Sequence, residues 1–274
     1  MATTLLPREA AILSLHARKR TLFQMKRTLL ILVLALTPVL SGARSPRPIG
    51  LAGTRTFPYS MVGQLTFFSG SDAFVGTGTV VQPYGVLTAA HNLYDASTGW
   101  STDIVFKRAH YDNTDLSVRS GTRAYILGGY QGAVNAYGGD DVRSFASDSG
   151  GVSFQLRPAA GSYLGWTTDP NILTTSAPKA AFGYGAVVHN GEELLVVGAT
   201  PFHAVYSAFY ESYNTGIEAG MSGGPVIATL ANGSRAVCGV IVSGSDFPVT
   251  GGIRIVNAAM STFILKYLSA QAVP

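Results

Sequence analysis

From residue 57 onward the apolar positions arrive in short runs rich in Val, Ile, Phe and Tyr, each closed by Gly, Ser, Asn or Asp. They fall at 61–68, 76–81, 85–89, 104–108, 123–127, 152–156, 180–188, 193–197, 204–210, 224–228, 236–242 and 252–256. Such runs between turn-forming clusters predict strands, and a dozen of them predict an all-β sandwich or barrel, with two closed barrels the best fit to the length. Asn190-Gly191 suits a tight hairpin turn, which makes His189 a strand-end residue. One stretch departs from the pattern: 257–270 sets Met260, Phe263, Ile264 and Leu268 at helical intervals behind Asn257, a candidate N-cap. It predicts a C-terminal helix packed on the last barrel.

A different pattern opens the chain. Residues 28–40 form an apolar run behind Lys26-Arg27 and ahead of Ser41-Gly42-Ala43. A cationic start, a short apolar middle and small residues before a cut make a secretory signal peptide, cleaved after Ala43. With Pro38 inside it, the run is too short to span a bilayer, which takes about 20 residues. Translation from Met25 would give a signal of ordinary length. Residues 44–56, rich in Pro, Gly and Arg, are expected to be a linker or short propeptide, followed by an N-terminal barrel over 57–165 and a C-terminal barrel with its helix over 166–274. The expected location is secreted or periplasmic, with membrane contact only through the signal peptide.

Charge follows the same division. The formal net charge is +4, yet the stretch up to Pro48 holds eight Lys and Arg against Glu9 alone, leaving eleven basic and fourteen acidic residues beyond it. The basic character belongs to the leader, so no nucleic-acid partner is implied. Only 12% of residues are charged and 32 are glycine, which excludes coiled coils and acidic disordered chains. The one cysteine, Cys238, lies in an apolar run and reads as a small buried hydrophobe. No Cys/His spacing suits a metal, and no cofactor is implied.

Two segments combine a reactive side chain with unusual backbone requirements. Gly85-Val86-Leu87-Thr88-Ala89-Ala90-His91 is an apolar strand ending in small residues and a histidine; Gly220-Met221-Ser222-Gly223-Gly224-Pro225 is a serine set among glycines. A serine hydroxyl attacks carbonyl carbon only when a base takes its proton and nearby N–H groups hold the resulting oxyanion. A Gly-x-Ser-x-Gly also fits the nucleophile elbow of α/β-hydrolases, but that arrangement requires a histidine after the serine and a helix behind it. Here no histidine follows Ser222, and Gly224-Pro225-Val226-Ile227 reads as turn then strand.

Thr88-Ala89-Ala90-His91 together with Gly220–Pro225 resembles the trypsin/chymotrypsin superfamily of serine endopeptidases, and the cysteine-poor exported form is similar to its bacterial glutamyl-endopeptidase-like branch. The likeness runs from about Phe57, through Phe57-Pro58-Tyr59-Ser60, to the C-terminus. It implies two antiparallel six-stranded barrels and a monomer that hydrolyses protein or peptide substrates through an acyl-enzyme. Ser222 is then the nucleophile, His91 the general base, and the amides of Gly220 and Ser222 the oxyanion hole. Asp148, at the head of a strand, is the expected triad acid, with Asp141 as runner-up and Asp140 behind it. Gly216, Ile217, Val242, Ser243 and Gly244 are the expected substrate-binding residues. The alternative is a catalytically inactive double-barrel binding protein.

Three departures from the family pattern limit what carries over. Asn92 stands where many members have cysteine, and Met221 replaces the aspartate that pairs with a newly cut N-terminus. Gly216 takes the place of the acid in Arg/Lys-cleaving members, while Val242-Ser243-Gly244 lacks the histidine of Glu-cleaving ones. An apolar or aromatic P1 side chain is therefore expected, because a pocket without a charged partner does not offset the burial of an ion. The segment 110–115 offers clustered oxygen ligands for calcium, but such Asp and Asn residues are expected to form a solvated surface turn.

Overall fold

The computed structural model describes residues 45–187, 189–213, 215–246 and 249–272; the expected signal peptide lies outside them. Seven strands form the first sheet: β1 (Val62–Ser69), β2 (Asp72–Gln82), β3 (Gly85–Thr88), β4 (Thr102–Arg108), β5 (Ser117–Ser120), β6 (Arg123–Ile126) and β7 (Gly150–Ser153). Their order is β5-β4-β1-β2-β3-β7-β6. The two ends, β5 and β6, are consecutive segments parted only by Gly121 and Thr122, so one interrupted strand pairs with both edges and closes a six-stranded barrel. Closure leaves no unpaired edge to solvent.

The second sheet repeats the device with β8 (Lys179–Gly183), β9 (Leu195–Gly198), β10 (His203–Tyr206), β11 (Phe209–Tyr213), β12 (Pro225–Thr229), β13 (Arg235–Asp246) and β14 (Val249–Ile255). The order is β9-β8-β12-β13-β14-β11-β10, again with two neighbouring segments, β9 and β10, at opposite ends. Two short additions extend it: Gly165–Trp166 runs parallel to β13, and Arg47–Pro48 pairs with Leu195 and Val196. Residues 44–56, expected as linker or propeptide, thus contain a strand against β9, and a helical turn over Leu51–Thr54 that buries Thr54.

Strand boundaries differ from the sequence expectation in several places: Ser117–Ser120 is a strand it did not contain, and the expected strand at 152–156 is Gly150–Ser153. The expected strand at 204–210 is a hairpin, β10 and β11, turning at Ser207 with φ 48°. The expected strand at 180–188 ends at Gly183, and the turn comes at Asn190 and Gly191, both at positive φ. A short helix, α1 (Tyr130–Tyr137), and a single turn, α2 (Val142–Phe145), precede β7.

At the C-terminus, α3 (Ala258–Phe263) continues as a π-helical turn over Ile264–Leu268. Its N-cap is Asn257, whose side-chain oxygen accepts from the Met260 amide at 3.1 Å. Rather than packing on the last barrel as expected, the apolar face buries Met260, Phe263, Ile264 and Leu268 in one hydrophobic cluster with Val62, Leu65, Val86, Phe106, Val152 and Phe154 of the first barrel. Leu268 takes space that glycines leave open: a Cβ on Gly85 would lie 2.4 Å from the Leu268 Cβ, and one on Gly151 2.7 Å from its methyl carbons. It thereby presses on β3 and β7. Leu268→Ala is expected to cost about 3 kcal/mol of stability in urea unfolding, the usual range for emptying a buried leucine site.

Candidate active site

β3 and β7 are antiparallel neighbours with Gly150 opposite Thr88. Extending that register by two residues sets Asp148, just before β7, beside Ala90 and His91, just after β3. The contact is bidentate. The His91 amide donates to Asp148 Oδ1 at 3.0 Å, and His91 Nδ1 lies 2.6 Å from Oδ2. An ionised carboxylate only accepts, so Nδ1 carries the proton and the Nε2 lone pair is left for another partner. The Ser149-Gly150-Gly151 sequence that blurs the expected apolar alternation has a steric cause: a Cβ on Gly150 would lie 2.7 Å from Leu93 and 2.8 Å from the Tyr125 carbonyl.

Asp148 is buried, 1% exposed, whereas His91 is partly open to solvent. Burial pulls the His91 imidazole down, and the charge and hydrogen bond of Asp148, with the charge of Asp140 behind them, outweigh it. The ring therefore titrates above the ordinary histidine value of 6.5. Asp141 is engaged elsewhere. It caps α2, accepting from the Arg143 amide at 2.9 Å and from both guanidinium arms at 2.7 Å, which holds its carboxyl well below the usual range.

The Ser222 loop is shaped by two left-handed glycines, Gly220 at φ 89° and Gly223 at φ 86°. Neither site admits a side chain. A Cβ on Gly220 would lie 2.4 Å from the Tyr184 carbonyl, and one on Gly223 2.1 Å from Thr88 Oγ1. Each carbonyl from 219 to 222 has a donor: Ala219 O receives the Ala186 amide, Gly220 O the Thr77 hydroxyl, Met221 O the Gly224 amide, and Ser222 O both the Thr77 amide and Asn92 Nδ2. The Met221 and Gly223 amides donate to Glu218 and Ile241. Among the described residues the amides of Gly220 and Ser222 donate to nothing, so two N–H groups are left for a ligand.

His91 and Ser222 line one cavity of about 810 Å³. Of the expected substrate-binding residues, Ile217, Val242, Ser243 and Gly244 line it and Gly216 does not. Ile217 packs between two strands, touching the spaces above Gly244 and Gly251, and forms the apolar wall. The cavity also takes in Asp140, weighed from sequence only as a triad acid, and Glu211 and Glu218, which sequence reasoning missed; among the described residues no lysine or arginine lines it. Glu211 and Glu218 lie outside the recognised motifs, and only the closure of the second barrel brings them there.

Three further residues or segments can be placed. Met221 is fully buried among apolar residues of the second barrel, where an ion pair would find no solvent. Cys238 is buried too, its thiol donating to the Val226 carbonyl at 3.3 Å and pushed up to about 12 by burial. The segment 110–115 is the expected surface turn, with Asp112, Asn113 and Thr114 exposed, but it is anchored at its first residue. His110 is 2% exposed and its ring nitrogens lie 2.8 Å from Asp115 and 2.9 Å from Glu192, which ties the segment to the loop after β8. Among the described residues no cluster of His, Cys, Asp and Glu could hold a metal ion.

The two barrels have the double-barrel fold of trypsin-like serine proteases. Among solved structures the chain is similar to a Glu endopeptidase determined in complex with MPD, at 20% identity and a TM-score of 0.65 over 82% of this chain and 97% of that one. It is also similar to the protease Anisep from Arthrobacter nicotinovorans, at 16% identity and a TM-score of 0.58 over 75% and 94%. HL collagenase matches at 13% identity and a TM-score of 0.58 over 81% and 96%. No family model and no curated protein matches the sequence.

The pairing of His91 with Asp148 predicts a titration. Followed by NMR, the His91 ring should titrate above 6.5 in the wild type. Asp148→Asn should bring its pKa down by one unit or more, since an adjacent carboxylate commonly contributes about 1–3 units. An unchanged pKa would show that the carboxylate is not what raises it.

Proposed function

We propose that the chain is an exported serine endopeptidase that acts as a monomer, without a cofactor, on proteins or peptides. The observation that carries this reading is one cavity lined by both His91, which Asp148 holds in a bidentate contact, and Ser222, whose loop leaves two amides without an acceptor. In the proposed reaction Ser222 Oγ attacks the scissile carbonyl while His91 Nε2 takes its proton. The Gly220 and Ser222 amides hold the tetrahedral oxyanion, and Asp148 stabilises the imidazolium. His91 then protonates the leaving amine, and water repeats the sequence to release the acyl group. Residues 1–43 are the proposed signal peptide, with the exported chain beginning at Arg44. No helix among the described residues is long and apolar enough to cross a membrane.

The neighbouring Glu endopeptidase does not transfer its substrate by fold alone. Three carboxylates on this cavity raise the cost of an acidic side chain, whereas Ile217 and Val242 favour an apolar one.

Two measurements test the proposal. A fluorophosphonate probe should label the wild type and leave Ser222→Ala unlabelled; a folded wild type that resists labelling would make the double barrel a binding protein instead. In a peptide library, kcat/KM for Glu or Asp at P1 should fall at least about tenfold below that for Leu or Phe, like charges in contact costing several kcal/mol. Preferred cleavage after Glu would overturn the specificity argument and leave the protease reading in place.

A further inference from the structure

The proposed reaction gives roles to His91, Asp148, Ser222 and the loop amides, but to none of the side chains that fix the loop. Three fully buried polar residues of the first barrel do so. Thr77 and Thr88 are 0% exposed and Asn92 2%. Thr77 Oγ1 donates to the Gly220 carbonyl at 2.9 Å and accepts from the Tyr184 amide at 2.9 Å. Its own amide donates to the Ser222 carbonyl at 2.8 Å. Thr88 Oγ1 donates to the Thr77 carbonyl at 2.7 Å and accepts from Asn92 Nδ2 at 3.0 Å. The second hydrogen of Asn92 Nδ2 goes to the Ser222 carbonyl at 3.0 Å. The hydrogens of both hydroxyls and of the amide are thus spent within a network that crosses from one barrel to the other.

Asn92 fits this place because position 76 is glycine: a Cβ there would lie 2.6 Å from Asn92 Nδ2. Asn92 directly follows His91 in the chain, so the same segment presents the ring and holds the serine's carbonyl. A peptide unit is planar, and fixing the carbonyls of Gly220 and Ser222 fixes the planes on either side of the Met221–Ser222 unit, whose N–H is one of the two left for a ligand. Gly220 is itself held on both sides, by the Ala186 amide on the preceding carbonyl and by Thr77 on its own.

We propose that Thr77 and Asn92 are positioning residues for acyl transfer: through the carbonyls of Gly220 and Ser222 they aim the two loop amides at the oxyanion. This rests on the protease reading. It assigns to two neutral side chains of the first barrel the alignment of a loop carried by the second. A positioned donor gains its advantage in the transition state, so its misplacement should appear in kcat and leave substrate binding almost unchanged.

The test uses Thr77→Val, which keeps the shape and the amide but removes the hydroxyl, Thr77→Ser, which restores it, and Asn92→Ala. Thr77→Val should lose about 10- to 100-fold in kcat with KM within about threefold, below the full loss of an oxyanion donor. Thr77→Ser should recover to within about threefold of wild type, and Asn92→Ala should lose about 3- to 30-fold in kcat. A peptide boronate, which forms a tetrahedral adduct on serine, should bind Thr77→Val about 10- to 100-fold more weakly, while the cleaved product peptide binds as before. Equal weakening of boronate and product would reduce the network to a structural role. So would an unchanged kcat in a folded Thr77→Val, or equal impairment of Thr77→Ser. If Thr77→Val does not fold, Asn92→Ala with the same pair of ligands decides by the same criterion. Fluorophosphonate labelling of the wild type separates the two failures: an unlabelled wild type removes the protease reading, whereas a labelled one with indifferent variants removes only this proposal.

Discussion

A carboxylate buried to 1% exposure must find donors inside the protein, and Asp148 finds them in the amide and ring of His91. Much of the first barrel follows from that need. The β3–β7 register brings the two residues level, the glycines at 150 and 151 let β7 approach Leu93 and Leu268, and the C-terminal turn presses the strands together from behind. Stability and chemistry are coupled at this point. The contacts that pack the helix end also hold the distance on which the histidine's protonation depends.

How much of this could be read from the sequence depends on the range of the interactions. His91 and Ser222 stood out because their constraints are local: small residues before one, and glycines around the other that the left-handed backbone at 220 and 223 requires. Asp148 was recognisable as a strand-head acid, although the glycines behind it obscured the alternation. The strands that carry the barrels were visible for the same reason, each having an apolar run of its own. The helix Tyr130–Tyr137 was not, since it buries only Tyr130 and Val134 and holds glycine inside it. Thr77 and Asn92 were illegible in principle. Their partners are 143 and 130 positions away, and a buried threonine in an apolar run looks like any other strand residue.

The cavity's charge belongs to the same class of late information. Asp140, Glu211 and Glu218 come from three separate stretches and meet only because both barrels close. The excess of acidic over basic residues beyond Pro48 is visible in the sequence, but not that three of those acids share one cavity. Arg254, a buried cation on β14, does not line the cavity: it is 2% exposed, its guanidinium bonded to the Ile255 carbonyl and Asn257, and drawn down to about 10 by burial against the opposing pull of Asp148.

Two kinds of force therefore meet at the site, and they respond differently to pH. The carbonyls of Gly220 and Ser222 are held by neutral groups: the Thr77 hydroxyl and amide and the Asn92 side-chain amide, with Met221 between them buried among apolar residues. None of these groups titrates in the working range, so their hold on the two carbonyls does not itself change with pH. The His91–Asp148 pair does titrate, and its sign is set by the buried carboxylate. As pH falls through the His91 pKa, which lies above 6.5, the ring gains a proton that Asp148 stabilises, and the lone pair facing the cavity is lost. The pair itself is strengthened by that protonation, so loss of the free base at low pH precedes any loosening of the fold around it.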